Sequence, residues 1–174
     1  MHSIFSVVFL LVIFSSCSIL QKREKTFEVT FHATIFKPHC GGAKPTAATE
    51  NGFYEALTNE RYAIIRGNSY TPGAKIEAEI TLDAIGSATL KLPKGEYMLL
   101  KTDKLLPIEE FIQQNKPFEK EVFKVKSFEC FEQWKNTPDF SISIEKDTNI
   151  ALQKNAKCWV GTNPCLEYIG PPAP

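Results

Sequence analysis

Residues 75–101 read Lys75-Ile-Glu-Ala-Glu-Ile-Thr-Leu-Asp83-Ala-Ile-Gly86-Ser-Ala-Thr-Leu-Lys-Leu-Pro93-Lys-Gly95-Glu-Tyr97-Met-Leu-Leu-Lys101. Ile76, Ala78, Ile80 and Leu82 alternate with Lys75, Glu77, Glu79 and Thr81. In an extended chain successive side chains point to opposite faces, so this alternation puts the apolar set on a core and the charged set in water. Asp83 to Gly86 interrupts it with a turn in which glycine takes positive φ freely. Ala88, Leu90 and Leu92 resume the pattern, Pro93-Lys94-Gly95 turns the chain again, and Tyr97 to Lys101 makes the next strand. The spacing predicts an antiparallel meander.

Upstream, Phe27, Val29, Phe31, Ala33 and Ile35 alternate with Glu28, Thr30, His32, Thr34 and Phe36, a strand with His32 on its solvent side. It ends at Lys37-Pro38. A loop of Gly, Pro, Ala and Thr then runs from about Cys40 to Gly52, with Pro38, His39, Gly41 and Gly42 the candidate binding residues. Phe53 to Leu57 reads as a short helical turn, and Tyr62 to Ile65 as a brief strand. Downstream, Ile108, Phe111 and Ile112 share one face of a helix opened by Pro107 and stopped by Pro117. Phe128, Phe131 and Trp134 share a face of a second helix after Ser127. The aromatic cluster from Phe118 to Trp134 reads as core packed under an insertion. Strands return at Phe140 to Ile144, at Ile150 to Leu152 and near Trp159, and the tail 171–174 is extended. The sum is an all-β chain, an antiparallel sandwich of about seven strands with a small helical insertion.

Ile4 to Phe14 is an apolar run closed by Ser15, Ser16 and Cys17. It falls short of the about 20 residues that span a bilayer, and it has the layout of a secretory signal. Phe14-Ser15-Ser16-Cys17 resembles a lipobox, the site at which bacterial lipoproteins are cleaved and acylated. The resemblance implies a signal peptide over 1–16, lipid on Cys17, a tether over 17–25 and one domain over 26–170. It further implies attachment to the bacterial cell envelope, at the outer membrane. Formal net charge is zero and the charges are scattered, which argues against nucleic acid as a partner.

Besides Cys17 there are Cys40, Cys130, Cys158 and Cys165. An even number in an exported chain reads as disulfides. Three connectivities are open, and Cys158–Cys165 with Cys40–Cys130 is favoured because Gly161 to Pro164 supplies a turn between the first pair. The alternative is a thiol- or metal-dependent site centred on His39 and Cys40. Zinc sites bring ligands in close pairs, and no such pair occurs here, so neither metal nor cofactor is expected. Glu77 with Glu79, and Glu109 with Glu110, read as solvated surface rather than paired catalytic carboxylates.

Thr81 to Tyr97 resembles the "TD-x-x-G … L-P-x-G-x-Y" segment of carboxypeptidase regulatory-like domains, which are prealbumin-like sandwiches. Lys37-Pro38-His39-Cys40-Gly41-Gly42-Ala43-Lys44-Pro45 is similar to a segment of small bacterial lipoproteins that carry this domain. The resemblance implies a non-catalytic binding or structural module, meeting an envelope protein or an extracellular ligand. Hydrolases of the related transthyretin-like group need histidines, an arginine and a C-terminal Tyr-Arg-Gly-Ser. Their activity is not implied, since only His32 and His39 follow the signal and the chain ends in Pro-Pro-Ala-Pro.

Overall fold

The computed structural model describes residues 24–42, 44–116 and 121–171. The signal segment, Cys17, Pro117 and residues 172–174 lie outside the described residues. Two four-stranded sheets face each other. The first is built on β1 (Thr26–Lys37), which pairs antiparallel along one edge with β5 (Ser87–Pro93) and then β2 (Phe53–Ala56). Along its other edge β1 pairs with β9 (Thr148–Asn155), and that pairing is parallel. The second sheet has the order β4-β3-β6-β8, from Ile76–Thr81, Arg61–Arg66, Gly95–Lys101 and Phe140–Ile144, all antiparallel. The architecture is an all-β sandwich with a helical insertion. It holds eight strands in its two layers rather than about seven, and one mixed sheet.

Val29, Phe31 and Ala33 are buried on the inner face of β1, against Tyr62 and Ile64 of β3 and Leu99, Ile142 and Ile144 beyond them. Each fully buried side chain of this kind contributes about 1.5–3 kcal/mol. The second sheet is covered on its outer face as well, where Ile65, Met98 and Leu100 pack with Tyr70 and Ala74. That is why β3 and β6 read as continuous apolar runs.

The predicted meander is corrected. β3 and β4 form a hairpin, but β5 crosses to the other sheet and β6 crosses back. Alternation fixes which side of a strand meets the core, and a strand with one apolar face satisfies that in either layer. The crossing is made at Gly86, whose φ is 75°. Asp83 Oδ1 accepts from the backbone N–H of Ile85 and Ser87 at 2.9 and 2.8 Å, and Ala33 N–H donates to Gly86 O at 2.8 Å. A Cβ at Gly86 would lie 2.5 Å from Ala33 O. At the return corner the Tyr97 hydroxyl donates to Pro93 O at 2.9 Å.

Phe53–Ala56 is a strand, not a helical turn: it continues the edge of β1, with Phe36 against Tyr54 at 5.2 Å between ring centres. The insertion holds a 3₁₀ turn (Thr102–Leu105), α1 (Ile108–Asn115), β7 (Phe123–Val125) and α2 (Phe128–Asn136). Ser127 caps α2, its Oγ accepting from Cys130 N–H at 3.2 Å. The last strand, β10 (Leu166–Tyr168), pairs with β7. It stands where a strand was predicted nearer Trp159, which instead occupies a turn at φ 70°.

Candidate functional site

Both disulfides form, in a connectivity different from the favoured one: Cys40–Cys158 and Cys130–Cys165. The cause is the parallel pairing. β1 and β9 run the same way, Phe36 opposite Asn155, so Cys40 and Cys158 leave the sheet side by side with Cα atoms 5.3 Å apart. Cys165 opens the strand that pairs with β7, just before the helix carrying Cys130. Lys126 N–H donates to Cys165 O at 3.0 Å, and Cys165 joins Phe111 and Phe131 in the core of the insertion. The turn within residues 158–165 exists, but its bridge is Lys157 to Gly161, which leads Cys165 away from Cys158. Two closed disulfides belong to an oxidising compartment.

The loop of Pro38, His39, Gly41 and Gly42 leaves β1 at this same end. Gly41 and Gly42 both have positive φ, and Gly42 has open space around it. With Cys40 bonded to Cys158, the alternative centred on His39 and Cys40 has no free thiol while that bond is closed. Among the described residues no group of three or more His, Cys, Asp or Glu could hold a metal ion. Glu77 and Glu79 make exposed ion pairs with Lys75 and Arg61 at 3.2 and 3.3 Å. Glu109 and Glu110 are solvated on α1.

The loop is tied by its disulfide to the rim of a cleft of about 740 Å³ between the sheet ends and the insertion. Such a volume lies within the range of small-molecule sites, about 300–1,000 Å³. Its floor is a cluster of charges. Asp139, only 8% exposed, accepts from Lys154 Nζ at 2.9 Å and from Lys101 N–H at 2.8 Å, with Lys104 Nζ 3.1 Å away. Lys104 is 3% exposed, donates to Thr137 O at 2.8 Å and lies 5.7 Å over the Trp134 ring. Lys154 Nζ stands over the rings of Tyr62 and Phe140 at 5.1 and 5.5 Å. Lys101 Nζ reaches Glu60 at 2.9 Å and Asp103 at 4.0 Å.

Burial would raise the Asp139 carboxyl, but Lys154, Lys104 and the Lys101 N–H together outweigh it and hold Asp139 below the ordinary carboxylate range. Burial also lowers the Lys104 ammonium, and Asp139 opposes that only in part. The Tyr62 hydroxyl is buried without a hydrogen-bond partner among the described residues; burial first, then Asp139, Glu60 and Asp103, push its ionisation far up. Chemically the floor is a fixed set of matched charges: Asp139 stays ionised, Tyr62 stays neutral, and the ammonium groups of Lys104 and Lys154 are engaged.

The walls are aromatic. Trp134 packs on Phe111 and Phe131 at 5.1 and 6.2 Å between ring centres, and it also lines the cleft. Of the predicted aromatic cluster, Phe131 and Trp134 pack in the core of the insertion, Phe128 is 48% exposed, and Phe118 lies outside the described residues. Trp159, 48% exposed, stacks on Tyr168 at 5.2 Å and lines the same cleft. Sequence reasoning did not find this site. Asp139, Lys104 and Lys154 come from three separate segments and carry no shared spacing. One signal was present: the chain has two tryptophans, and both line this cleft.

No family model matches this chain. No curated protein matches it either. Among solved structures it is similar to the minor pilin GBS52 of Streptococcus agalactiae, at 12% identity and TM-score 0.34, over 76% of this chain and 44% of that one. It is similar to the shaft pilin spaA of Lactobacillus rhamnosus GG, at 11% identity and TM-score 0.40, over 75% and 50%. For the N-terminal domain of spaA the values are 10% and 0.37, over 84% of this chain and 99% of that one. The chain thus spans half or less of the first two pilins it matches. At such identities its function is read from its own residues.

Proposed function

We propose that this chain is a lipoprotein of the bacterial envelope, held at the outer membrane by lipid on Cys17, whose sandwich is a non-catalytic binding or structural module. Its partner is an envelope protein or an extracellular ligand, met at the end of the sandwich farthest from the lipid. The observation that carries the reading is the position of the cleft along β1. The tether enters at Thr26, where Glu24 pairs with Arg66 at 2.8 Å. The cleft and the Cys40–Cys158 bond lie at the other end of this twelve-residue strand, where the cleft residues Lys154 and Asn155 pair with Ile35 and Phe36. At about 3.3 Å per residue that places the cleft roughly 30 Å from Thr26, at the end of the sandwich opposite the tether. Two further points support it: the signal-like segment ending at Cys17, and a floor of matched charges with no activated nucleophile.

The test is the intact mass of protein purified from membranes, alkylated with and without reduction. The expected result is an acylated N-terminal Cys17, with Cys40, Cys130, Cys158 and Cys165 alkylated only after reduction. Replacing Cys17 by Ser should move the chain to the soluble fraction. An unacylated mature chain beginning elsewhere would overturn the anchored reading.

A further inference from the structure

Resting on that reading of the sandwich as a binding module, we propose that the cleft lined by Trp134 and Trp159 takes a pyranose saccharide. Four observations converge on it. The chain has two tryptophans, and both line this one cleft. Indole offers a broad apolar face with electron density above the ring, which suits the C–H face of a sugar, and an N–H at its edge.

Trp159 is held in a conformation that bulky residues avoid, with φ 70°. Such conformations persist where surrounding structure over-determines them, and they gather at binding sites. Here the fixing elements are visible: the disulfide at Cys158 immediately before it and the Lys157–Gly161 bridge around it. The indole they present is half exposed, so core burial does not account for the arrangement.

Between the walls stand polar groups with bonding capacity to spare. Gln114 and Thr162 line the cleft, and no side-chain hydrogen bond engages them among the described residues. Asn155 uses its carbonyl oxygen to accept from Gln153 at 3.2 Å, leaving its NH₂ to donate. An amide both donates and accepts, as a sugar hydroxyl does.

The floor is mostly internally compensated. Lys101, Lys104 and Lys154 are set against Glu60, Asp103 and Asp139, and the ammonium groups pair within 4.0 Å. The charged side chains at the floor are largely engaged with one another, whereas Lys116 and the buried Asp103 Oδ1 keep polar capacity that sugar hydroxyls can use as acceptor and donor. A saccharide meets all four conditions.

The experiment uses the full mature chain and follows its tryptophan emission. Trimers of glucose, N-acetylglucosamine, galactose and mannose are titrated, beside free adenosine and a neutral tripeptide. The expected result is a saturable spectral shift with at least one trimer and none with adenosine or the tripeptide. Trp159→Ala should weaken binding by roughly tenfold or more, while Trp159→Phe, which keeps a ring face, should stay within about threefold. Trp159→Gly should melt higher than Trp159→Ala, since only glycine is relaxed at that φ, yet bind no better. Absence of any saturable response to about 10 mM trimer, tighter binding of adenosine or the tripeptide, or unchanged affinity in Trp159→Ala would each overturn the proposal. Acylation of Cys17 is read by mass alone, so the anchored-module reading and the saccharide site can fail separately.

Discussion

Asp139 Oδ1 accepts from Lys154 Nζ at 2.9 Å while its Oδ2 lies 3.1 Å from Lys104 Nζ, so one carboxylate balances two lysines at the floor of the cleft. Taking charges out of water is expensive, and removing the balancing partner leaves the others uncompensated. Asp139→Asn should therefore lose about 3–5 kcal/mol of stability, read from urea unfolding. Lys104→Met should change stability by less than about 1.5 kcal/mol, because it removes a cation that burial already disfavours together with its bond to Thr137 O. Equal losses in the two variants would contradict this assignment.

The same group sets the response to acid. Asp139 ionises at lower pH in the folded chain than in the unfolded one. Its contribution is therefore complete above the unfolded value, about pH 3.9, and is lost as pH falls through the depressed folded value. Tyr62 acts at the other extreme. The folded chain keeps its proton after the unfolded chain has released it, so stability should fall as pH rises above about 10. Unfolding midpoints across both ranges should lose part of the acid slope in Asp139→Asn, since Glu24 and Glu129 are also held low, and part of the alkaline slope in Tyr62→Phe.

Gly86 makes the crossing between sheets, and the space for a side chain is absent there. A Cβ would stand 2.5 Å from Ala33 O, on a backbone at φ 75°. Gly73 has a similar φ of 82° and nothing within 4 Å. Gly86→Ala should thus lose about 3 kcal/mol or more, against about 1–2 kcal/mol for Gly73→Ala, where only the left-handed conformation is penalised. Thermal melts of the two variants make the comparison.

Opening the disulfides should have unequal effects. The chain-entropy relation gives about 5 kcal/mol for the bond spanning 118 residues and about 4 kcal/mol for the one spanning 35. Cys40→Ser with Cys158→Ser should be the more damaging double substitution. Non-reducing peptide mapping should recover Cys40 joined to Cys158 and Cys130 joined to Cys165. A fragment joining Cys158 to Cys165 would refute the connectivity.

Much of the fold was legible because it was local. Alternation in Phe27 to Phe36 located β1 and its buried face, and Ser127 with the spacing of Phe128, Phe131 and Trp134 located α2. What escaped was long-range. β5 reads the same whether it stays beside β4 or crosses to β1, since either layer covers its apolar face. Phe53 to Ala56 has exposed side chains throughout and takes its strand form from the edge of β1 rather than from any pattern of its own. The cysteine pairing followed the direction of β9, which no local signal discloses. The cleft was missed for the same reason, apart from its two tryptophans.

The parallel pairing of β1 with β9 joins the first strand of the domain to one of its last, Val29 beside Thr148. Topologies dominated by such distant partners fold slowly, because loop closure must precede any reward from contact. During synthesis β1 has no partner on that edge until nearly the whole domain has been made. A chain in that state stays threadable for longer than one whose strands zip up in order. The central strand is thereby among the first parts of the domain to be made and among the last to be fully paired.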